Sequence, residues 1–396
     1  MKRQVVVVGA GPSGSTCAHF LSKSGIQVLL ADKVEFPREK PCGDAQLRDC
    51  HPLLREMGIY ETLKREANVL AGVAISAPDG GYRCFYSPAQ EIFCTPRLIV
   101  DDIIRCSALR EGAEFMEKYA ATELLLEQGR VVGVRGIRNG KTLDIHSEAV
   151  IVADGARSML ARQLSPRRRD PDSLFFGARG YFEHVAGMTD VIEFFYPAPM
   201  FFPAGYIWVF PLSKDRANVG VFITQQALKR SGISLKGFIP WFRENSEIGK
   251  ARLGKARPSG PLRGAILPTF STAHVNNTPG ALVIGDACSL IDALFGSGFH
   301  YAMKSGKIAA EVILEAFAGG AVSGIASGYN RRIDSQMAPE FSRYRKIRER
   351  LFTNPEDLNA FINAVGSGTE SDLRGKGLNE TINLYLERCK AASLLS

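Results

Sequence analysis

Residues 5–32 read VVVVGAGPSGSTCAHFLSKSGIQVLLAD, and this stretch decides the fold. Its four valines form an apolar run that ends in glycine, which is typical of a strand buried in a parallel sheet. Gly9, Gly11 and Gly14 then follow GxGxxG spacing. The first glycine permits a tight turn, the second lets backbone approach a phosphate, and the third lets the next helix pack on the strand. The stretch therefore predicts a strand, turn and helix that bind a dinucleotide.

An acidic residue closes the same stretch. SGSTCAHFLSKSG is typical of a helix that stops at a glycine, IQVLLAD predicts the second strand, and Asp32 ends that strand. A carboxylate at this position accepts hydrogen bonds from a ribose 2′-hydroxyl. Asp32 therefore favours an adenosine with a free 2′-hydroxyl, which means FAD or NAD rather than NADP.

A second glycine-rich segment lies in the last third of the chain. ALVIGDA predicts a strand that ends at Gly285-Asp286, and LFGSGFHYAMKSGKIAAEVI follows as a turn that opens a long helix. Gly296 and Gly298 leave the N-terminus of that helix open, and its free N–H groups suit an anionic or carbonyl-rich ring. Two such elements suit a long cofactor held at both ends, so we expect FAD.

Three motifs together resemble the flavoprotein monooxygenase fold typified by p-hydroxybenzoate hydroxylase: the GxGxxG turn, ADGARS at 153–158 and IGDA at 284–287. The resemblance implies that Asp286 contacts the ribityl and pyrophosphate part of FAD. It also implies that Asp154 and Gly155 form the DG motif of that family.

The segment TPRLIVDDIIRCSALREGAEF resembles a helix of the same family that carries an Arg-xxx-Asp pair. Arg97 and Asp101 have this spacing. The resemblance implies that Arg97 touches FAD.

Two further motifs narrow the resemblance. FPREKPCGDA at 36–45 and YIWVFP at 206–211 are similar to the KPCG and YxWxFP motifs of the geranylgeranyl reductase family. That family includes reductases of archaeal lipid chains, chlorophyll precursors and menaquinone side chains. Asp44 departs from it, because many members carry a second glycine there. A proton relay and a turn-stabilising role are both open for Asp44.

The candidate catalytic residues come from these motifs. The resemblance places the loop of Cys42 near the flavin, where a thiol can donate a proton or shape the pocket. Tyr206 is a second candidate acid. His300, just inside the helix after Gly298, can polarise a flavin carbonyl or act as an acid. Structural roles in a tight turn, a sheet core and a helix cap are the alternatives.

Tyr206, Trp208 and Phe210 alternate, so a strand would place all three on one face. We expect an aromatic wall in which Trp208 and Phe210 contact an apolar or lipid substrate; an ordinary packed sheet is the alternative. The histidines and the eight cysteines show no CxxC pair or other metal-ligand spacing, so no metal is expected.

The net charge of +8 includes two basic clusters, SPRRRD at 165–170 and SRYRKIRERLF at 342–352. They are either solvated faces or contacts for an anionic membrane surface, an acidic electron-transfer partner or a phosphorylated substrate. Nucleic acid is not expected as a partner, because no recognition motif accompanies the charge. With no signal peptide and no apolar run of roughly 20 residues, we expect a cytoplasmic protein that can lie at the periphery of a membrane.

The order of these motifs predicts an α/β (α+β) fold with interleaved domains: a Rossmann-like FAD-binding domain, an antiparallel-sheet substrate domain and a helical C-terminal region. The expected ranges are 1–70, 95–165 and 276–330 for the FAD-binding domain, 71–94 and 166–275 for the substrate domain, and 331–396 for the C-terminal region.

The leading functional hypothesis is an FAD-dependent oxidoreductase that reduces carbon–carbon double bonds of an isoprenoid or similar apolar substrate. NAD(P)H or another external donor, such as ferredoxin or a quinol, would reduce the flavin. Alternatives on the same fold are a monooxygenase or halogenase acting on an aromatic substrate, and a desaturase or oxidase that transfers hydride in reverse. A flavin-binding electron-transfer partner without turnover is a further alternative.

Overall fold

The fold is known from a computed structural model, which describes residues 1–86, 91–165, 170–197, 201, 205–271, 277–320, 324–351 and 354–365. Outside the described residues lie, among others, the basic segment 166–169, residues 198–200 and 202–204 before β14, and the C-terminal segment 366–396.

The strands belong to three sheets. In chain order they are β1 Lys2–Val8, β2 Val28–Ala31, β3 Ala45–Gln46, β4 Asn68–Leu70, β5 Gly72–Ser76, β6 Tyr82–Tyr86, β7 Ile92–Cys94, β8 Glu114–Met116, β9 Tyr119–Glu127, β10 Arg130–Arg138, β11 Lys141–Val152, β12 Leu174–Glu183, β13 Val191–Phe195, β14 Gly205–Pro211, β15 Ala217–Thr224, β16 Arg257–Pro258, β17 Arg263–Pro268 and β18 Ala281–Val283.

The α-helices surround these sheets. They are α1 Pro12–Lys23, α2 His51–Glu56, α3 Tyr60–Glu66, α4 Arg97–Arg110, α5 Leu160–Leu164, α6 Gln225–Ser231, α7 Phe238–Asn245, α8 Glu247–Leu253, α9 Phe299–Ala318, α10 Ile325–Gln336, α11 Ala338–Leu351 and α12 Pro355–Val365.

The first sheet has the strand order β8-β2-β1-β11-β10-β9, with β18 also paired to β11. Strands β8, β2, β1, β11 and β18 run parallel, whereas β9 and β10 are antiparallel additions. Val5 to Val8 are buried in the centre of this sheet, as their continuous apolar run predicts. The carboxyl ends of β1, β2, β11 and β18 therefore meet at one edge, where a ligand of an open parallel sheet binds.

Close helix packing fixes the geometry of that edge. Helix α9 crosses α1 at Gly306, where an added Cβ would lie 2.2 Å from the backbone oxygen of Ser13. Only glycine permits this approach, so the two glycine-rich elements that the sequence predicts are held side by side.

The second sheet has the order β16-β12-β15-β14-β13-β5-β6, with β17 also paired to β12. Its neighbours are antiparallel except β5 and β13, which run parallel. Ile207 and Val209 point to the face that packs on α7, whereas Tyr206, Trp208 and Phe210 share the opposite face. The alternation that the sequence predicts is therefore present in β14.

The segment after β4 joins the two sheets. Strands β5 and β6 belong to the second sheet, while β7 pairs with β3 and β4 in a small third sheet. The expected domain boundaries stay a prediction, because sheet membership does not define independent folding units.

Helices α11 and α12 cover the aromatic face through Tyr344, Leu351, Leu358 and Ile362. None of the helices in the described ranges combines the length and apolar character needed to span a membrane.

Candidate active site

The N-terminal turn is shaped to receive a phosphate. Gly9 has a φ of +107°, and a Cβ there would lie 2.3 Å from the oxygen of Ala153, so backbone from β11 fills this space. Gly11 caps α1 and has no side chain to bond the first N–H groups of that helix. The side chain nearest to Gly11 is that of Arg38, whose Nη2 would lie 3.5 Å from a Cβ added there. The free N–H groups of α1 and the guanidinium of Arg38 thus lie together at Gly11, where a phosphate would bind.

Asp32 lies beside this turn, at the end of β2. Its carboxylate accepts the N–H of Ala10 at 2.8 Å and that of Val34 at 3.2 Å. These bonds fix the orientation of the carboxylate and leave lone pairs on both oxygens for a hydroxyl ligand. This position agrees with the ribose-binding role predicted for Asp32.

The DG motif follows β11 and packs against the same turn. Burial raises the pKa of Asp154, and its Oδ1 is buried with no hydrogen-bond partner among the described residues. A buried acceptor without a partner is costly, so this atom is suited to a hydroxyl donor from a bound cofactor. Gly155 has a φ of +84°, which explains the glycine in this motif.

Asp286 follows β18 and connects two predicted motifs. Its Oδ2 lies 3.0 Å from Nζ of Lys40 in the KPCG loop. A Cβ on Gly298 would lie 3.5 Å from its Oδ1. Lys40 is therefore part of the site rather than an isolated surface charge.

Asp292 shapes the glycine-rich turn before α9. Its buried carboxylate accepts the N–H groups of Leu294, Phe295 and Ser297 at 2.8, 2.7 and 2.7 Å. Burial raises its pKa to about 6, and these three bonds oppose that rise. Gly296 has a φ of +66°, and a Cβ there would lie 2.7 Å from the ring of Phe222. The turn is thus closely packed against the second sheet.

Arg97 begins α4 and forms a two-pronged ion pair with Asp101 at 2.6 and 2.8 Å. Arg38 lies 2.9 Å from the same carboxylate. Burial opposes the charge of Arg97, but Asp101 and the nearby side chain of Cys42 outweigh burial and raise its pKa. The structure therefore joins Arg97 to the candidate catalytic thiol; its contact with FAD stays a prediction.

The aromatic wall lies directly against the KPCG loop. A Cβ on Gly43 would lie 2.9 Å from the ring of Phe210 and 3.6 Å from Nε1 of Trp208. The rings of Tyr206 and Phe194 pack edge to face at 5.1 Å. Cys42 and this apolar wall are thus neighbours.

The hydroxyl of Tyr206 donates to the backbone oxygen of Phe295, which ties the wall to the glycine-rich turn. Burial raises the pKa of Tyr206 well above its usual value. His300 is half-buried, and burial together with Lys304 lowers its pKa to about 3. Tyr206 therefore resists losing its proton, and His300 is neutral at pH 7. The catalytic roles of Cys42, Tyr206 and His300 stay predictions.

These residues fit FAD, which is the cofactor that the sequence predicts. Asp32 and Gly11 suit the adenosine and the pyrophosphate, and the unpartnered Asp154 oxygen suits a hydroxyl donor. Asp286 and the turn at Gly298 lie toward the aromatic wall, where a flavin ring would reach.

Comparison with known proteins agrees with this geometry. The FAD binding domain family matches residues 2–224. Digeranylgeranylglycerophospholipid reductase 2 of Methanopyrus kandleri is 30% identical over 92% of this chain and 91% of its own length. Menaquinone reductase of Mycolicibacterium smegmatis is 27% identical over 87% of this chain and 84% of its own length.

The fold is also that of a solved structure. A geranylgeranyl bacteriochlorophyll reductase-like protein from Thermoplasma acidophilum superposes with a TM-score of 0.86, covering 100% of this chain and 99% of its own, at 24% identity. The solved structure shows the fold, and the family match together with the Methanopyrus relative shows an FAD-dependent oxidoreductase. The chain belongs to the FAD binding domain family and, within it, to the geranylgeranyl reductase family. The predicted fold class, family and cofactor are confirmed.

Several polar residues of the site were missed by the sequence interpretation. Arg38 and Asp292 are absent from it, although an Asp shortly before a glycine-rich turn is a signal for backbone N–H binding. Arg179 and Asn218 lie on strands of the second sheet and reach the KPCG loop. No local sequence signal marks these two, because their contacts come from distant parts of the chain.

Proposed function

We propose that the protein reduces carbon–carbon double bonds in the isoprenoid chain of a lipid or quinone, and that this chain lies against Trp208 and Phe210. One observation carries the proposal: the KPCG loop, the glycine-rich turn and an aromatic, apolar face meet at a single place. The names of the two relatives, a digeranylgeranylglycerophospholipid reductase and a menaquinone reductase, support the same substrate class.

FAD, held by Asp32, Asp154 and Asp286, would supply in its reduced form the hydride for one alkene carbon, and an acid must supply the proton for the other. An isolated alkene is poorly polarised, so the protein contributes orientation and exclusion of water. Tyr206, Trp208 and Phe210 are each less than 9% exposed, so water has little access to the wall.

We propose Cys42 as the proton donor. It is only partly buried, it lies in the loop that touches the wall, and its side chain acts electrostatically on Arg97. Tyr206 is better suited to positioning, since its hydroxyl already donates to Phe295. His300 forms a weak contact with Ser297 at 3.4 Å, and it serves as a neutral group at the turn.

The proposal extends to partners. An external donor, NAD(P)H or an electron-transfer protein, would reduce the flavin.

Arg343 and Lys346 on α11 are exposed, and the guanidinium of Arg343 lies 5.8 Å from the ring centroid of Tyr344. Such a surface suits peripheral contact with an anionic membrane that holds the lipid substrate.

The test supplies the flavin-loaded protein with dithionite and either a geranylgeranyl lipid or menaquinone under anaerobic conditions. After any quinol has been reoxidised in air, mass spectrometry is expected to show the gain of one dihydrogen per reduced double bond. No mass gain with any isoprenoid substrate would contradict the proposal. A persistent hydroperoxide spectrum on mixing the reduced protein with oxygen would instead favour the monooxygenase or halogenase alternative.

The role of Cys42 has its own test. Cys42→Ala is expected to lower turnover by about 10²-fold, the usual contribution of a positioned acid. Cys106→Ala is the matched control, because this half-buried thiol on α4 bonds to Asp102 and is not among the site residues. Equal turnover in the two variants would remove Cys42 from the proton-transfer step.

A further inference from the structure

Asp44 has a left-handed backbone conformation, which is uncommon for residues other than glycine. Its φ is +67°, in the left-handed region, and its side chain is fully buried. The N–H of Thr95 and the amide of Gln46 both donate to its carbonyl oxygen at 2.9 Å. A non-glycine residue held in this region marks a place where surrounding contacts impose the conformation, often at a functional site.

The carboxylate of Asp44 connects the loop to the second sheet. Its Oδ2 accepts the hydroxyl of Tyr181 and the side-chain N–H of Asn218, each at 2.8 Å. Its Oδ1 accepts the backbone N–H of Arg97 at 3.3 Å. All three partners donate, so the ionised carboxylate satisfies this arrangement.

Asn218 extends this connection to two residues of the active site. Its Nδ2 also donates to the carbonyl of Cys42 at 2.7 Å, and its Oδ1 accepts the indole N–H of Trp208 at 2.9 Å. An indole nitrogen only donates, so the orientation of the amide is fixed. One carboxylate thus holds an amide that reaches both Cys42 and Trp208.

We propose that ionised Asp44 is a positioning residue that holds Cys42 and Trp208 in place across the flavin-binding loop and the aromatic wall, and that its protonation loosens both. The catalytic consequence rests on the proposed function, whereas the structural consequence does not. Protonation would add a hydrogen to a carboxyl group that already faces only donors, and one of these bonds would be lost.

The surroundings of Asp44 raise its pKa, so its carboxylate takes up a proton at a pH close to neutral. Burial raises its pKa to about 6, against the lowering effects of Tyr181, Asn218, Arg179 and Arg97. The titratable and charged groups that face it are Tyr181 and Arg179 on β12, Arg97 on α4, Cys94 on β7, and Cys42 and Glu39 in the loop.

The first test reads Trp208 directly and needs no substrate. The flavin-loaded protein is labelled with 5-fluorotryptophan, and its two ¹⁹F signals are assigned with Trp241→Phe. The Trp208 signal is expected to shift with a midpoint near pH 6 in the wild type and to stay flat in Asp44→Asn, a variant that tolerates positive φ. A flat wild-type signal, or an equal shift in Asp44→Asn, would overturn the proposal.

The second test measures how catalysis depends on pH. The kcat/KM of the wild type is expected to fall below about pH 6, and Asp44→Asn is expected to lose this acidic limb. Asp44→Gly relieves the backbone but removes the carboxylate, and misplacement of the reacting groups should lower kcat by about tenfold or more. An unchanged acidic limb in Asp44→Asn, or wild-type kcat in Asp44→Gly, would contradict the proposal.

The matched control is Glu193→Gln, another buried carboxylate, which binds Tyr82 and Arg252 on the opposite face of the second sheet. It should keep the acidic limb whatever its effect on stability. If no isoprenoid substrate is reduced, only the proposed function fails, because the ¹⁹F titration stands on its own.

Discussion

At the scale of the residue, Gly11 and Gly14 share one motif but differ in what a methyl group would meet. A Cβ on Gly14 would lie 1.9 Å from the backbone oxygen of Gly9, whereas a Cβ on Gly11 meets only the end of Arg38 at 3.5 Å. We therefore expect Gly14→Ala to lose stability, and Gly11→Ala to fold normally but block phosphate approach. Loss of one charge-assisted hydrogen bond, about 1.5–3 kcal/mol, would weaken FAD binding about tenfold or more.

Thermal unfolding of the flavin-free protein and titration with FAD separate the two effects. Gly324→Ala is the control, because no atom of the described residues lies within 4 Å of its Cβ position. Unchanged FAD affinity in Gly11→Ala would place the pyrophosphate elsewhere.

Asp44 also predicts how stability depends on pH. Its pKa is about 6 in the folded protein against an ordinary 3.8, so the folded state keeps a proton that the unfolded chain releases between these values. Lowering the pH through this window therefore stabilises the wild type relative to Asp44→Asn. The expected gain is about 3 kcal/mol, measured by urea unfolding at a series of pH values. A loss of stability on lowering the pH would mean that Asp44 stays ionised at lower pH than its burial implies.

The residues that sequence could predict are those whose roles depend on local spacing. Asp32, Asp154 and Asp286 each end a strand and lie at the same sheet edge, as their motifs predict. Arg179 and Asn218 could not be found in this way, since a contact over more than a hundred residues leaves no local pattern.

At the scale of the element, the close crossing of α1 and α9 decides whether a glycine-to-alanine substitution stabilises or destabilises the protein. Alanine in place of glycine within a helix usually stabilises by about 1 kcal/mol. At Gly306 the added methyl group would lie 2.2 Å from the Ser13 oxygen, so we expect Gly306→Ala to destabilise the protein. Gly328→Ala in α10 is the comparison, because its nearest atom is a side-chain methyl of Val312 at 3.2 Å that can shift. Equal melting temperatures for the two variants would show that α9 can move away from α1.

The turn before α9 depends on one carboxylate. Asp292→Asn replaces an acceptor with a donor opposite one of three N–H groups, and a buried unsatisfied group costs about 1–3 kcal/mol. We expect a lower melting temperature and weaker flavin binding together, because the turn lies at the candidate flavin site. Loss of stability with unchanged flavin affinity would separate the turn from the cofactor.

The elements themselves were well predicted near the glycine motifs and on β14. Period-2 alternation predicts that Tyr206, Trp208 and Phe210 share one face of β14, as they do. The cover that α11 and α12 form over that face was not predicted, because amphipathic helices indicate a buried side but not its partner.

At the scale of the whole molecule, two sheets with different roles meet at the KPCG loop. The parallel edge of the first sheet offers polar groups and free N–H groups, and the second sheet offers an apolar wall. Sequence could predict this interleaving, because strands β5 and β6 interrupt the first set of elements. It could not predict the buried polar link through Asp44, which depends on how the two sheets dock.

The central claim is that FAD lies where these two sheets meet, and the most direct measurement is the flavin content of the purified, folded protein after incubation with FAD. The account predicts a yellow protein that retains one FAD per chain through gel filtration and releases it on denaturation. A folded protein that stays colourless with excess FAD would contradict the claim.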